Sequence, residues 1–224
     1  MCNAMRSVYF ILLLSMGTAL PSFVTASSPL NDDQKRAFEQ DAKDFIVELG
    51  SQAIQSLTNS SLSRKEREEN FAEIFEKAFD VLSIAKFVLG RYRHQSSEEE
   101  KKAFLDLFKE AMASNYASRF QNYTNEVFEV RSARYAGDNT GRVYSVIIRP
   151  GSPDVSIEWK VYRNKKDHFK IVDVIVENIS MSVTNRQEYQ SIIERRGGLK
   201  GLNEALKERI QRGRIPLEGV RQNP

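Results

Sequence analysis

Before Val127 the apolar residues of this chain recur every third or fourth position, and from Val127 to Asn178 they recur every second. That switch constrains the fold most, because a period near 3.6 makes one-sided helices and a period of two makes one-sided strands. Val127 to Tyr135, Arg142 to Arg149, Val155 to Arg163 and Phe169 to Asn178 read as four strands. Between them stand Gly137-Asp138-Asn139, Pro150-Gly151-Ser152-Pro153 and Asn164-Lys165-Lys166-Asp167, all built from turn formers. Connections this short join antiparallel neighbours, since parallel strands need a long crossover. The third strand alternates cleanly, with Val155, Ile157, Trp159 and Val161 opposite Ser156, Glu158, Lys160 and Tyr162. The second sets Val143 and Ile147 against Tyr144, Val146 and Ile148, and the fourth sets Val172, Val174 and Val176 against Phe169, Ile171 and Ile175. Both are apolar on two sides, which predicts that part of the sheet is covered on both faces.

Helices flank this block. Phe38, Ala42, Phe45, Ile46, Leu49, Ala53 and Ile54 form one stripe over Asn31 to Leu57. Phe71, Ile74, Phe75, Ala78, Phe79 and Leu82 form a second, which runs on through Val81–Leu89 to a stop at Gly90. Ser97-Glu98-Glu99-Glu100 fits a capping box, with carboxylates favourable to the helix dipole. The helix it opens carries Phe104, Leu107, Phe108, Ala111, Met112, Tyr116 and Phe120 and extends to about Tyr123. After the strands, one helix spans about Asn185 to Arg196, and another uses Leu199, Leu202, Leu206 and Ile210. The fold class is α+β, with long helices packed on a curved four-stranded antiparallel sheet.

The ends bound the compartment. Arg6, the apolar run Val8 to Leu14 and the small residues ending Val24-Thr25-Ala26 have the layout of an export signal over 1–26. Ser15, Gly17, Thr18 and Pro21 interrupt the run well short of the roughly 20 apolar residues a membrane span needs. The single cysteine, Cys2, would leave with that signal. The remaining chain could form no disulfide, thiolate nucleophile or Cys-based metal site. Residues 27–210 read as one domain, and the polar tail 211–224 is expected to be disordered. Net charge is +3 with both signs interspersed, and no basic stripe interleaves with aromatics, so nucleic acid is not a partner.

Catalytic groups are scarce. His94 lies in a basic loop and His168 beside a hairpin turn, neither with a second ligand at metal-binding spacing. No nucleophile elbow, P-loop or dinucleotide fingerprint is present, and no cofactor is implied. One carboxylate pair stands out. Asp173 and Glu177 fall at i and i+4 of the fourth strand, on the face of Phe169, Ile171 and Ile175. A buried Asp173 could act as a general base, as in cone-shaped isomerases. The plainer reading pairs these acids with Arg142, Lys160 or Arg163, and no oxyanion partner can be nominated.

The segment Val88-Leu89-Gly90-Arg91-Tyr92, followed by Ser96-Ser97, Phe104 and Phe108, resembles the MlaC (toluene-tolerance auxiliary) family of periplasmic phospholipid-binding proteins. So do Lys170 to Met181 with Arg186-Gln187-Glu188-Tyr189, and the Gly198-Leu199 to Leu206 helix. The family pattern usually has glycine where this chain has Asn178, a residue that also tolerates positive φ. The scarcity of catalytic groups argues against an enzyme, and the resemblance implies a nuclear-transport-factor-like cone with a deep apolar cavity between helices and sheet. It implies a carrier that shuttles phospholipid between an outer-membrane lipoprotein–porin complex and an inner-membrane ABC transporter with its substrate-binding ring, maintaining outer-membrane lipid asymmetry. On that reading Phe79, Leu82, Ile84, Val88, Phe104, Phe108, Met112, Val143, Ile147, Trp159 and Val161 are the expected lipid-binding wall. A hopanoid in place of a phospholipid, a cone-fold enzyme using Asp173, and a structural adaptor with a solid core stay open as alternatives.

Overall fold

The structure is a computed structural model that describes residues 30–120 and 126–212. All of these but Leu30 belong to one compact unit that begins at Asn31. The export signal over 1–26, the tail beyond Arg212 and the extension of the Ser97 helix to Tyr123 lie outside the described residues.

Among the described residues, six α-helices and five strands follow in the order α1 (Asp32–Thr58), α2 (Arg64–Ala78), α3 (Val81–Leu89), α4 (Glu98–Phe120), β1 (Val127–Gly137), β2 (Thr140–Ile148), β3 (Val155–Arg163), β4 (Phe169–Val176), β5 (Ile179–Ser180), α5 (Met181–Arg196) and α6 (Leu199–Gln211). A 3₁₀ turn over Gly90–His94 joins α3 to the start of α4. The sheet is antiparallel and open in the order β1-β2-β3-β4-β5, so the four long strands meet as neighbours and a two-residue fifth extends them.

Local chemistry explains most boundaries. Asn31 with Gln34 closes a capping box on α1, and Ser63 with Glu66 closes one on α2. On α4, Ser97 Oγ accepts from the Glu100 amide at 3.2 Å and Glu100 Oε2 from the Ser97 amide at 3.0 Å. Asp138 (φ 48°) and Asn139 (φ 56°) make a two-residue turn between β1 and β2, with both central residues left-handed as that hairpin geometry demands. Glu177 (φ 48°) and Asn178 (φ 64°) do the same between β4 and β5. Asn178 therefore fills the position that favours glycine.

The expected continuous helix through Val81 is broken. Phe79 leaves α2 in an extended conformation and forms a parallel bridge with Ile171 on β4. The Asp80 amide donates to the Ile171 carbonyl at 2.9 Å, and the Asp80 carboxylate caps α3 through the Ser83 amide at 3.0 Å. The Lys170 ammonium lies against the Lys77 carbonyl at the C-terminal end of α2. Strand contacts and a cap outcompete the two turns of helix that the apolar stripe would allow.

Two apolar cores result. One sheet face carries Val130, Val143, Val161 and Ile171 and packs on Phe38, Ala42 and Ile46 of α1. The second core joins the helices, where Phe104 and Phe108 stack at 5.5 Å and both meet Tyr189 edge-on. The opposite sheet face is less enclosed than its sequence predicts. Tyr144, Val146, Ile148 and Ile175 are half-buried there, beside an Arg142–Glu158 ion pair. Two-sided apolar strands need not have a packed layer on each side when neighbouring long side chains shade them.

Candidate functional site

A cavity lies where β4 meets α2, α3, α4 and the start of α5. It is lined by Phe75, Phe79, Ile84, Phe108, Met112, Val172, Asp173, Val174, Met181, Ser182 and Asn185 and has a volume of about 30 Å³. Pockets for small organic ligands run from roughly 300 Å³ upward, so in this conformation the space is about one water's worth and too small for an acyl chain.

Phe79, Ile84, Phe108 and Met112 of the expected wall meet at this cavity. The others lie elsewhere. Val88 and Phe104 are 0 % and 1 % exposed within the helical core. Val143 and Val161 sit under α1 with Trp159, whose indole N–H donates to Ser145 Oγ at 2.9 Å. Ile147 is half-buried on β2. Leu82 is 50 % exposed on α3.

A β-bulge decides what β4 contributes. Val161 pairs with Ile171, but Lys160 pairs with Asp173, leaving Val172 as an extra residue on β4. Ile171 therefore shares the α1 side with Val161, whereas Asp173 shares the other side with Lys160. This corrects the expectation that Asp173 and Ile171 share a face, which assumed unbroken alternation. Glu177 is also removed from that face, because it lies in the turn after β4, where its carboxylate accepts from the Ser156 amide at 2.5 Å.

Asp173 is 6 % exposed and fully engaged. It pairs with Lys160 at 3.1 Å and accepts from the Ser180 hydroxyl at 2.8 Å and the Ser182 amide at 3.1 Å. Ser180 is the N-cap of α5. The carboxylate thus stands at a helix N-terminus, where backbone N–H groups and the helix dipole favour a negative charge. Its geometry is that of a structural tie between β4, β3 and α5. Among the described residues no cluster of His, Cys, Asp and Glu could hold a metal ion.

A second carboxylate clamps the corner between α2 and α3. Burial alone would raise the Asp80 pKa, but hydrogen bonds from the Tyr162 hydroxyl and from the Ser83 amide and hydroxyl outweigh it and hold the carboxyl below its ordinary value. Tyr162, donating to that carboxylate, is pushed up to about 12 by the hydrogen bond, by burial and by the Asp80 charge.

The cavity also has Phe75, Val172, Val174, Met181, Ser182 and Asn185 in its lining, none of them among the expected wall residues. Val172 is the bulge residue itself and Val174 follows Asp173, and no residue type marks a bulge here. Met181 and Ser182 enter because α5 starts at Met181, four residues before the expected Asn185, and Ser180 as an N-cap was the available signal.

Comparisons with known proteins give a family, a curated relative and a solved structure of similar fold. The family model described as MlaC protein matches residues 47–208. The intermembrane phospholipid transport system binding protein MlaC of Haemophilus influenzae is 27 % identical over 114 residues, 49 % of this chain and 53 % of that protein. The match thus spans about half the length of that curated relative. The phospholipid-binding protein of Ralstonia solanacearum, solved in complex with a phospholipid, superposes with a TM-score of 0.65 at 20 % identity, covering 77 % of this chain and 98 % of that one. At that identity the likeness is one of fold.

Proposed function

The chain belongs to the MlaC family, and from that premise we propose that it is a non-catalytic phospholipid carrier whose acyl chains enter between β4 and the helices. The observation that carries this reading is positional, since every residue lining the cavity falls inside the matched span 47–208. Eight of the eleven lining side chains are apolar, and Asp173, the former candidate base, is consumed by structural contacts.

The physics of the cargo sets the requirement. Two acyl chains with about 30 methylenes, at roughly 0.8 kcal/mol each, would cost on the order of 24 kcal/mol to leave in water. A carrier must enclose both chains, yet hold them no more tightly than a bilayer does. A cavity of about 30 Å³ is too small for an acyl chain, so in this reading loading requires the helices that line it to part from β4. The same surfaces then close again around the chains or against each other. An apolar interior that collapses on itself avoids exposing its lining when unloaded.

In this reading the chain is exported to the periplasm and passes phospholipid between an outer-membrane lipoprotein–porin complex and an inner-membrane ABC transporter with its substrate-binding ring. Organic extraction of the purified protein followed by mass spectrometry tests it. Near-stoichiometric phospholipid is the expected result, a hopanoid would reassign the cargo, and a protein that neither retains nor takes up lipid would overturn the proposal.

A further inference from the structure

Asn185 is 5 % exposed and lines the cavity. Its side-chain amide has one partner among the described residues, the Met112 sulfur at 4.0 Å. A thioether is a weak acceptor, and buried side-chain amides in folded proteins almost always have better ones. A leucine of similar size would fill the position without that penalty. The amide is therefore poised for a partner that comes from outside the protein.

The surroundings narrow what that partner is. Ser182 lies one turn earlier on the same helical face and is 8 % exposed. Its neighbour Asp173 pairs with Lys160, which is 40 % exposed, so a polar corner runs from the cavity wall to solvent. The rest of the lining is apolar. A ligand seated here has an apolar body and an acceptor where that body approaches the surface. The acceptor is neutral, because no cation lines the cavity and the Lys160 charge is already matched by Asp173, which leaves no spare positive charge for a carboxylate or a phosphate.

Resting on the carrier reading, we propose that Asn185 is a specificity residue whose Nδ2 donates to an ester carbonyl of the bound lipid, so that the pocket favours diacyl over dialkyl-ether phospholipids. The carbonyl that joins acyl chain to glycerol is the neutral acceptor at that boundary.

The test is equilibrium binding of two phospholipids with the same headgroup and chain length, one diacyl and one dialkyl ether. The wild-type protein is expected to bind the diacyl form about 3- to 10-fold more tightly, the range of one hydrogen bond. Asn185→Leu is expected to bind both with the affinity of the wild type for the ether. Equal binding of the two by the wild type, or an undiminished preference in Asn185→Leu, overturns the inference. Should that variant not fold, Asn185→Ser, too short to reach, is expected to lose the preference in the same way. A wild type that binds neither lipid overturns the carrier reading itself, an outcome distinct from equal binding.

Discussion

The Tyr162 hydroxyl donates a 2.6 Å hydrogen bond to Asp80 Oδ2, joining the end of β3 to the cap of α3. With the Asp80 amide bound to the Ile171 carbonyl, the corner between α2 and α3 is fastened to the sheet at two points. That corner carries Phe79, so the fastening also positions a wall of the cavity.

The first prediction concerns alkaline stability. Tyr162 ionises near pH 10 when unfolded and at about 12 when folded, so the fold favours its neutral form. Its contribution is fully present below pH 10 and is lost as pH rises from about 10 to about 12. Urea midpoints measured across that window should fall more steeply for the wild type than for Tyr162→Phe, and parallel curves would refute the linkage.

Asp80 has the opposite sign. Its folded pKa lies below the ordinary 3.8, so its contribution is present above that value and fades as pH falls through the folded pKa. Asp80→Ala removes a helix cap and the Tyr162 acceptor together, and should cost about 1–3 kcal/mol at neutral pH. The gap between variant and wild type in denaturant titrations should narrow in acid.

Ile84 and Leu82 provide a paired test of the cavity. Ile84 lines it, whereas Leu82 on the same helix is 50 % exposed. Ile84→Trp should lower phospholipid loading, at a stability cost of about 1–3 kcal/mol from overpacking. Leu82→Trp should leave loading unchanged. Equal loading of the two variants, measured by lipid extraction, would move the cavity elsewhere.

Gly141 tests the packing beneath α1. A Cβ there would stand 2.6 Å from a Phe38 ring carbon and 3.1 Å from the Arg134 carbonyl oxygen. Gly141→Ala should destabilise the protein by about 1–3 kcal/mol in chemical denaturation, because neither the buried ring nor the strand backbone can yield freely.

How far the fold was legible depends on how local its causes are. Ser97 and Glu100 announce a helix start because the cap forms within four residues, and Asp138-Asn139 announces a hairpin because few residues accept positive φ. The Phe79–Asp80 break was hidden, because its cause is the Ile171 backbone, distant in the chain. Asp173 was assigned to the wrong side for a similar reason, since alternation counts residues and a bulge adds one without a signature. The lining of this cavity was legible where an apolar stripe faces inward, as at Ile84, Phe108 and Met112. It was obscured where neighbouring apolar residues on one short helix point both ways, as at Leu82.

The extra residue at Val172 has a consequence for length variation in this chain. Where the strands are regularly paired, losing one residue re-phases everything downstream and turns core side chains outward. At Val172 a deletion would leave Ile171 opposite Val161 and Asp173 opposite Lys160, with Val174 still opposite Trp159. The sheet could shorten there without re-pairing. What would change is the cavity lining, so the chain carries a site where a single-codon deletion edits the container and spares the scaffold.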